Sequence, residues 1–259
     1  MRSHREAVHE QFNPRAQAYL ASRVHAAGPD LAAARERVQQ YLGRAAQALD
    51  VGTGAGHLSF ALAPAVARMV ALDPSPGMLT TVREAAAQRG LTGIETCEAV
   101  AAALPFAAAS FDLVSTRYSA HHWLDVPRAL DEMRRVVKPD GYLLLIDFLG
   151  EEHALVDTHL QSLELLRDTS HVRDRSISEW RSLLQQAGFC EVEHCSWNTR
   201  IEFAPWIERM GTPPALVTAI RMLQAAAPAE VQRALQIEAD GSFTGQTGLF
   251  WARPLALGP

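Results

Sequence analysis

The sequence predicts an α/β fold, in which helices cover both faces of a doubly wound, mostly parallel β-sheet. Two features predict it. Short apolar runs alternate with helix-length amphipathic segments between residues 47 and 148, and a glycine-rich turn follows the first apolar run. Strands that alternate with helices in this way pair in parallel, because each crossover carries the chain back across one face of the sheet.

The first predicted element is a helical segment, residues 5–43, that precedes the alternating region. Within it Leu31, Ala34 and Val38 recur at helical spacing, and the pattern stops at Gly43. Apolar residues three and four positions apart form one face of a helix. We therefore expect this segment to be a helical N-terminal cover of the domain.

The alternating region supplies the core of the sheet. Its strands are expected at residues 47–51, 68–72, 94–97, 111–116 and 142–148. The helices between them are expected near residues 56–66, 75–89 and 126–137. Gly90 and Pro139 follow two of these helices, as residues that end helices commonly do.

The pattern changes after residue 150. A helix at 151–167 and a charged loop at 168–176 come first, and Ser176 and Glu179 then form the capping-box pattern of a helix that stops at Gly188. The remaining chain is expected to hold a strand at 189–197, a helical segment at 204–237 and a last strand at 247–253.

Composition and charge exclude several classes of function. A formal net charge of −5 favours neither nucleic acid nor an anionic membrane as a partner. Cys97, Cys190 and Cys195 are too few and too scattered for a disulfide framework or a metal site. No apolar run approaches the roughly 20 residues of a membrane-spanning helix, and the polar N-terminus does not resemble a signal peptide. We expect a cytoplasmic protein with no metal.

The glycine-rich turn, "ALDVGTGAGHLSF", is the strongest indication of a ligand site. Its spacing from Asp50 is Asp-x-Gly-x-Gly-x-Gly, which differs from the GxGxxG turn of dinucleotide-binding proteins and from the Walker loop, whose lysine is replaced by His57. A carboxylate at this place repels a pyrophosphate, but it favours a ligand with an ammonium or sulfonium group. The turn therefore predicts a cationic ligand such as S-adenosylmethionine.

A second acidic residue, Asp73, ends the second predicted strand in "MVALDPSPGML". A carboxylate at the tip of this strand can accept hydrogen bonds from both hydroxyls of a ribose. The ribose of NAD could be bound equally well by this residue. The choice between the two ligands therefore depends on Asp50 and on the glycine spacing.

The chain resembles the class I S-adenosylmethionine-dependent methyltransferases, and within them the group similar to the ubiquinone/menaquinone C-methyltransferases. The motifs that carry the resemblance are "LDVGTGAGHLSF", "VALDPSPGML", "LPFAAASFDLVSTRYSAHHW" and "LDEMRRVVKPDGYLLLIDF". The resemblance implies a Rossmann-like, seven-stranded sheet with an antiparallel C-terminal strand and helical lid segments. It also implies S-adenosyl-L-methionine as the cofactor and S-adenosyl-L-homocysteine as its product.

The resemblance further implies a set of cofactor-binding residues at the ends of the core strands. They are Asp50, Gly52, Thr53, Gly54, Gly56, Asp73, Pro74, Met78, Ala101, Ala102 and Arg117. In this set the first aspartate would face the amino group of the cofactor and the second would hold the ribose. One position departs from the family, since Ala102 stands where an acidic residue is common; we do not transfer that role to Glu98.

Residues 1–259 are expected to form a single methyltransferase domain, with 1–43 as its cover, 44–149 as its cofactor-binding core and 150–259 as its substrate lid and C-terminal strands. The acceptor pocket should lie at the carboxyl ends of the strands, where the strand order reverses. Segments 1–30 and 150–175, together with the helical residues 204–240, would roof it.

Three candidate catalytic residues follow the fourth predicted strand in "RYSAHHW". The resemblance places Tyr118 beneath the methyl group that is transferred, and His121 or His122 could remove a proton from the acceptor. A histidine that only caps a helix or completes a hydrogen-bond network is the alternative for either position.

Candidate substrate residues lie in the cover and in the charged loop. Tyr19 and His25 belong to a segment that covers the pocket in enzymes of this kind, and His171 and Arg173 could close over an anionic substrate. A solvated surface loop is the alternative for the last two.

The function predicted from these observations is methyl transfer to a small-molecule acceptor, at carbon or oxygen, with a quinone-like or natural-product-like compound as the acceptor class. The only expected partner is that acceptor, and the protein would be a monomer or a homodimer. Two alternatives stay open at this point: a nicotinamide-dependent oxidoreductase, and a module that binds the cofactor without transferring its methyl group.

Overall fold

The computed structural model describes residues 3–22 and 26–255. Within these residues the strands form one sheet in the order β3-β2-β1-β4-β5-β7-β6. They are β1 (Gln47–Val51), β2 (Arg68–Asp73), β3 (Ile94–Glu98), β4 (Phe111–Arg117), β5 (Val137–Leu149), β6 (Phe189–Ile201) and β7 (Phe243–Pro254). β7 runs antiparallel to both of its neighbours, while β1 to β5 are parallel. The predicted Rossmann-like sheet with an antiparallel C-terminal strand is thus confirmed.

Helices lie on both faces of this sheet and above its carboxyl edge. Those that precede β5 are α1 (His4–Phe12), α2 (Ala16–Leu20), α3 (Pro29–Tyr41), α4 (His57–Leu62), α5 (Pro76–Gln88) and α6 (Val126–Val136). Those that follow it are α7 (Ala154–Arg167), α8 (Ile177–Gln186), α9 (Phe203–Met210), α10 (Pro214–Ala225) and α11 (Ala229–Ala234). Short 3₁₀ turns occupy Asn13–Arg15, Ala63–Ala65 and Ala120–His122.

The central strands are apolar on both faces because both faces are covered. Along β5, Leu143 and Leu145 pack into the cluster beneath α6 and α8, whereas Leu144 and Ile146 pack into the cluster beneath α3 and α4. All four side chains are fully buried. The two-residue period of a strand thus divides one apolar run between two cores.

A separate apolar cluster lies above the carboxyl ends of the strands. Leu160 on α7, Trp206 on α9 and Ile220 on α10 pack there against Phe148 and Phe243, where β5 ends and β7 begins. This cluster, which we call the lid cluster, also contains Val156, Leu163, Phe203, Ala227, Val231 and Leu235. It holds the helices of the C-terminal half over the site.

The largest differences from the sequence prediction occur in the two long helical segments. The segment 5–43 is divided, since a 3₁₀ turn that contains Pro14 separates α1 from α2. The segment 204–237 is divided twice: Gly211 in a left-handed conformation closes α9, and Pro228 precedes α11. Proline lacks the amide hydrogen that a helix interior needs, and glycine adopts positive φ without strain.

Other boundaries agree closely with the prediction. β1 has the predicted limits, and the Ser176–Glu179 capping box opens α8. β5 begins at Val137, earlier than predicted, because that residue pairs with Phe111 before the register shifts. In the ranges that the structure describes, no helix is both long and apolar enough to cross a membrane.

Candidate active site

A cavity of about 530 Å³ lies at the carboxyl ends of β1, β2 and β4. We call it the main cavity. β1 and β4 are neighbours from which the chain departs in opposite directions, so a crevice opens between their ends. The predicted site residues that line it are Tyr19, Asp50, Gly52, Thr53, Gly54, Asp73, Pro74, Met78, Ala101, Ala102, Arg117, Tyr118 and His122. Residues distant in sequence therefore meet at one site.

The glycine turn brings the backbone close to this cavity. Gly52 and Gly54 have φ of +70° and +53°. A Cβ on Gly52 would lie 1.9 Å from Ser119 Oγ, so packing forbids a side chain there. A Cβ on Gly54 would meet no described atom within 4 Å and would enter the cavity. Gly56 has a different role, because it does not line the cavity and its missing side chain makes room for Phe60.

Asp50 is fully buried at the bottom of the glycine turn. Its Oδ2 accepts hydrogen bonds from Thr53 Oγ1 at 2.8 Å and from Ser59 Oγ at 2.7 Å. Its Oδ1 has no hydrogen-bond partner among the described residues. Burial raises the pKa of this carboxyl, whereas the two hydroxyls and the charge of Arg117 lower it. A buried carboxylate oxygen without a donor is a place for a cationic or N–H donor group.

Asp73 lies at the end of β2, on the opposite side of the turn. Its Oδ1 accepts a hydrogen bond from the Ser75 amide and its Oδ2 accepts one from the Gly54 amide, both at 2.9 Å. Burial and, to a smaller extent, the nearby Asp50 raise its pKa to about 6, although the two hydrogen bonds lower it. Each carboxylate oxygen keeps acceptor capacity, so hydroxyl groups of a ligand can be bound as well.

The expected adenine end of the cavity is lined by Pro74, Met78, Ala101 and Ala102. Met78 is almost completely buried against Ala16 and Ala55, so it serves the core as well as the cavity wall. Glu98, to which no role was transferred, also lines the cavity.

The N-terminal cover is joined to the core by side-chain hydrogen bonds. Asn13 Oδ1 accepts from the Gly77 amide at 2.8 Å and lies 3.1 Å from Ser75 Oγ. His57 Nε2 lies 3.0 Å from the carbonyl oxygen of Tyr19. Because α1 also lines the main cavity, the cover encloses it from above. The other predicted residue of the cover, His25, lies outside the described residues.

Arg117 lines the main cavity, and its guanidinium is bound to the cover. Its Nε donates to Asp30 Oδ2 at 2.5 Å, and both side chains are buried. The guanidinium also lies over the ring of Tyr118, 4.4 Å from its centre. This ion pair joins the end of β4 to the beginning of α3.

A second, smaller cavity of about 90 Å³ adjoins the main one. We call it the small cavity. The two cavities share four wall residues, which are Phe12, Tyr19, Tyr118 and His122. The other residues that line the small cavity are His121, Phe148, Glu164, Arg167, Asp174, Thr199, Ile201, Trp206 and Arg209.

His121 lines the small cavity but not the main one. Its Nδ1 lies 2.6 Å from Asp147 Oδ1, and its backbone amide donates to Asp147 Oδ2 at 3.1 Å. Burial lowers the pKa of His121, but the carboxylates of Asp147, Asp174 and Glu164 outweigh burial and raise the pKa to about 9. The ring is therefore an imidazolium at neutral pH, and it has no free lone pair with which to accept a proton.

His122 lines both cavities, with its ring centre 4.3 Å from that of His121. Its Nδ1 lies 3.1 Å from the carbonyl oxygen of Ser170, which can only accept, so Nδ1 carries the hydrogen. Burial and the positive charge of His121 lower its pKa to about 4. His122 is therefore neutral at pH 7, and its Nε2 lone pair accepts no hydrogen bond from the described residues.

Tyr118 follows β4 with an uncommon positive φ of 50°. Its hydroxyl lies 2.9 Å from Thr247 Oγ1, and burial raises its pKa to about 12. The phenol is thus protonated at neutral pH. A phenol with this pKa is unsuitable as a general base, and the side chain forms part of the wall that the two cavities share.

The two substrate residues expected in the charged loop do not line either cavity. His171 is buried, with Nε2 2.9 Å from Gln161 Oε1. Arg173 forms ion pairs with Asp157 and Glu179, each at 3.0 Å. These contacts hold the loop against α7 and α8, and they leave both side chains outside the two cavities. A structural role therefore describes them better than substrate contact.

Several residues that shape the site were missed by the sequence analysis. Ser59 follows the glycine turn closely, and a hydroxyl so near Asp50 could have been recognised as its partner. Asn13 lies within the segment predicted as helical, and its local sequence did not indicate the helix α5 that it contacts. Asp30 and Arg209 could not be recognised from the local sequence, because the residues that they contact in the fold are distant in the chain.

Comparison with known proteins agrees with this geometry. Residues 49–145 match the family described as a methyltransferase domain. The chain is 42% identical over 193 residues to the uncharacterized protein YafE of Escherichia coli, with 74% of this chain and 93% of YafE covered. It is 34% identical over 202 residues to the uncharacterized methyltransferase YcgJ of Bacillus subtilis, covering 78% of this chain and 79% of YcgJ.

The quinone-modifying enzymes are more distant relatives. The demethylmenaquinone methyltransferase of Thermus thermophilus is 37% identical over 133 residues, which cover 50% of this chain and 60% of that protein. Among solved structures, that of YcgJ superposes with a TM-score of 0.82 at 30% identity and covers 88% of this chain and 99% of YcgJ. The similarity to YcgJ thus extends well beyond residues 44–149.

Proposed function

The chain belongs to the class I S-adenosylmethionine-dependent methyltransferases, and from this premise we propose that it methylates a small organic acceptor at an oxygen or an activated carbon. The observation that carries the proposal is the contact between the two cavities. The main cavity has the size and the polar groups for the methyl donor, and the small cavity adjoins it through Tyr118 and His122. Membership of this family argues against the alternative of a nicotinamide-dependent oxidoreductase.

The residues of the main cavity suit S-adenosylmethionine. Asp50 Oδ1 is buried without a partner among the described residues, and the ammonium of the methionyl group is its chemical complement. Asp73 can accept the ribose hydroxyls beside its two amide bonds. Gly54 leaves open the volume that any side chain would fill. When bound, this cofactor supplies a sulfonium methyl group that a nucleophile can displace.

The protein contributes position and exclusion of water. The cover closes over the main cavity through Asn13, and the lid cluster closes over the small cavity through Trp206 and Phe148. Holding two reactants in line within such an enclosure accounts for a large part of the rate enhancement of bimolecular reactions. A macromolecular acceptor would have to displace the cover, so the enclosure supports a small molecule.

Among the three candidate catalytic residues, we assign the proton acceptor to His122. His121 is already protonated and Tyr118 retains its proton. His122 lines both cavities, and its Nε2 accepts no hydrogen bond within the ranges that the structure describes. After proton uptake the imidazolium would lie 3.9 Å from Asp168 Oδ2, a buried carboxylate oxygen without a hydrogen-bond partner in the described part of the chain. That carboxylate would stabilise the protonated state.

The first test is calorimetry with S-adenosylmethionine and S-adenosylhomocysteine, followed by transfer of labelled methyl groups to a panel of phenols, enols and carboxylic acids. His122→Gln should lower kcat on an acceptor that must lose a proton by about 100-fold, while the Kd of S-adenosylhomocysteine stays unchanged. His153→Gln, at an exposed histidine, is the control. Equal kcat in both variants would remove His122 from the chemistry.

A different outcome would favour the remaining alternative. If the protein bound S-adenosylmethionine and transferred no methyl group to any member of the panel, a cofactor-binding module without transferase activity would be the better description.

A further inference from the structure

We propose that the small cavity binds a planar, unsaturated acceptor that carries an anionic group such as a carboxylate, and that Arg209 is the residue that binds this group. The proposal rests on the proposed function for the reaction itself. It adds a chemical class of substrate and a specificity-determining residue.

The shape of the small cavity favours a flat ligand. Its walls include five aromatic side chains, which are Phe12, Tyr19, Tyr118, Phe148 and Trp206. Aromatic rings interact well with other rings, face to face with an offset or edge to face. With about 90 Å³ of space, the cavity is somewhat smaller than an engineered protein cavity of about 150 Å³ that holds benzene. It therefore has room for no more than one small ring or an enol, and the rest of a larger acceptor would lie outside it.

Most of the charged groups that line the small cavity are compensated. Glu164 and Arg167 lie 3.7 Å apart, and His121 is bonded to Asp147. Asp174 Oδ1 also lies 4.0 Å from His121 Nδ1, although burial and Glu164 raise the pKa of this carboxyl well above its usual range. These groups together leave little net charge of their own.

Arg209 is the exception. Among the described residues no carboxylate lies within 4.0 Å of its guanidinium, and its Nε is buried without a hydrogen-bond partner. Its direct contacts are neutral, namely the carbonyl oxygen of Pro205 at 3.5 Å and the side chain of Tyr19. The charges of Glu164 and Arg167, which form an ion pair with each other, act on it in opposite directions. Burial lowers its pKa, but an arginine remains charged at neutral pH.

A partly desolvated cation that forms no ion pair with the described residues is a binding site for an anion. Arg209 and Trp206 stand three residues apart on α9, so one helical face presents both the cation and an aromatic ring. An acceptor whose carboxylate binds Arg209 would lie in the cavity whose wall also contains His122. The guanidinium thus positions the acceptor near the proton-accepting nitrogen.

The test compares two probes that differ in charge but hardly in shape, 4-hydroxybenzoate and 4-hydroxybenzamide. Their Kd values are measured by calorimetry at pH 7.5 on the full chain, with and without saturating S-adenosylhomocysteine. We expect the carboxylate to bind about tenfold more tightly than the amide, as for a charge-assisted hydrogen bond in a buried site.

Variants then assign this preference to one residue. Arg209→Gln should remove the preference for the carboxylate and leave the Kd of the amide unchanged, whereas Arg209→Lys should retain part of it. Arg233→Gln, at an exposed arginine on the neighbouring α11, is the matched control and should behave as the wild-type protein does.

The proposal is overturned if the wild-type protein binds both probes equally or neither of them, or if Arg209→Gln and Arg233→Gln show the same preference as the wild type. Loss of S-adenosylhomocysteine binding in the wild type would refute the proposed function instead. The comparison of the two probes without S-adenosylhomocysteine would still test the inference in that case.

Discussion

Replacement of His121 should remove a specific dependence of stability on pH. In the folded protein Asp147, Asp174 and Glu164 outweigh the effect of burial and raise the pKa of His121 from 6.5 to about 9. The native state therefore binds a proton more tightly than the unfolded chain. The resulting stability is fully present below pH 6.5 and is lost as the pH rises through 9.

The size of this contribution follows from the same shift. One unit of difference in pKa is equivalent to about 1.36 kcal/mol, so a rise from 6.5 to about 9 corresponds to about 3 kcal/mol of unfolding free energy. Screening by solvent reduces this free energy only slightly, because the side chain of His121 is only 16% exposed and Asp147 is buried.

The assay is urea-induced unfolding of the wild type and His121→Asn at intervals between pH 6 and pH 10. Asparagine can still donate a hydrogen bond to Asp147 but cannot carry a positive charge. The wild type should lose about 3 kcal/mol relative to the variant over this range. Groups that His121 does not influence titrate alike in both proteins and cancel in the difference.

His153→Gln provides the matched control, because it removes an exposed histidine close to α7. Its stability should change with pH in parallel with that of the wild type. If the curves for His121→Asn and the wild type were parallel as well, the imidazolium–carboxylate pair would not exist in the native state, and the reasoning on His121 would be refuted.

Two further predictions concern the main cavity. Since burial raises the pKa of Asp73 to about 6, affinity for S-adenosylmethionine should fall as the pH drops from 7 to 5. Calorimetry on Asp73→Asn should show weaker binding without this pH dependence. If the variant and the wild type had the same pH profile, Asp73 would not belong to the ribose site. Gly54→Ala and Gly90→Ala both place a side chain at positive φ in open space, so each should lose about 1 kcal/mol of stability. Only Gly54→Ala should lower affinity for S-adenosylhomocysteine, by about tenfold or more, because its methyl group enters the cavity; equal affinity in the two variants would contradict the position of the ligand.

The order of strands and helices in the core could be predicted from sequence, because it depends on local patterns. An apolar run such as that of β5 has to be buried on both faces, and the glycines of the turn adopt backbone angles that other residues avoid. Asp50, next to the last residue of β1, and Asp73, the last residue of β2, lie near each other as predicted, since parallel strands end at one edge of the sheet. Their roles toward the cofactor remain our proposal.

The details of the second half of the site could not be predicted in this way. The small cavity joins Phe12 from the cover, Tyr118 from the end of β4 and Arg209 from the lid, and contacts between residues so far apart leave no periodic pattern in the sequence. For the same reason the sequence could not show that Arg173 would be held by Asp157 and Glu179 outside the cavities.

The sequence by itself determined the family and the main features of the fold, because a tight glycine turn beside a carboxylate is a local arrangement of the chain. Tertiary structure alone decided the charge states of the neighbouring histidines. His121 and His122 have the same intrinsic chemistry, yet carboxylates around the first and burial beside a cation for the second move their pKa values to about 9 and about 4. Electrostatic energy depends on distance and solvent exposure, and both exist only in the folded chain.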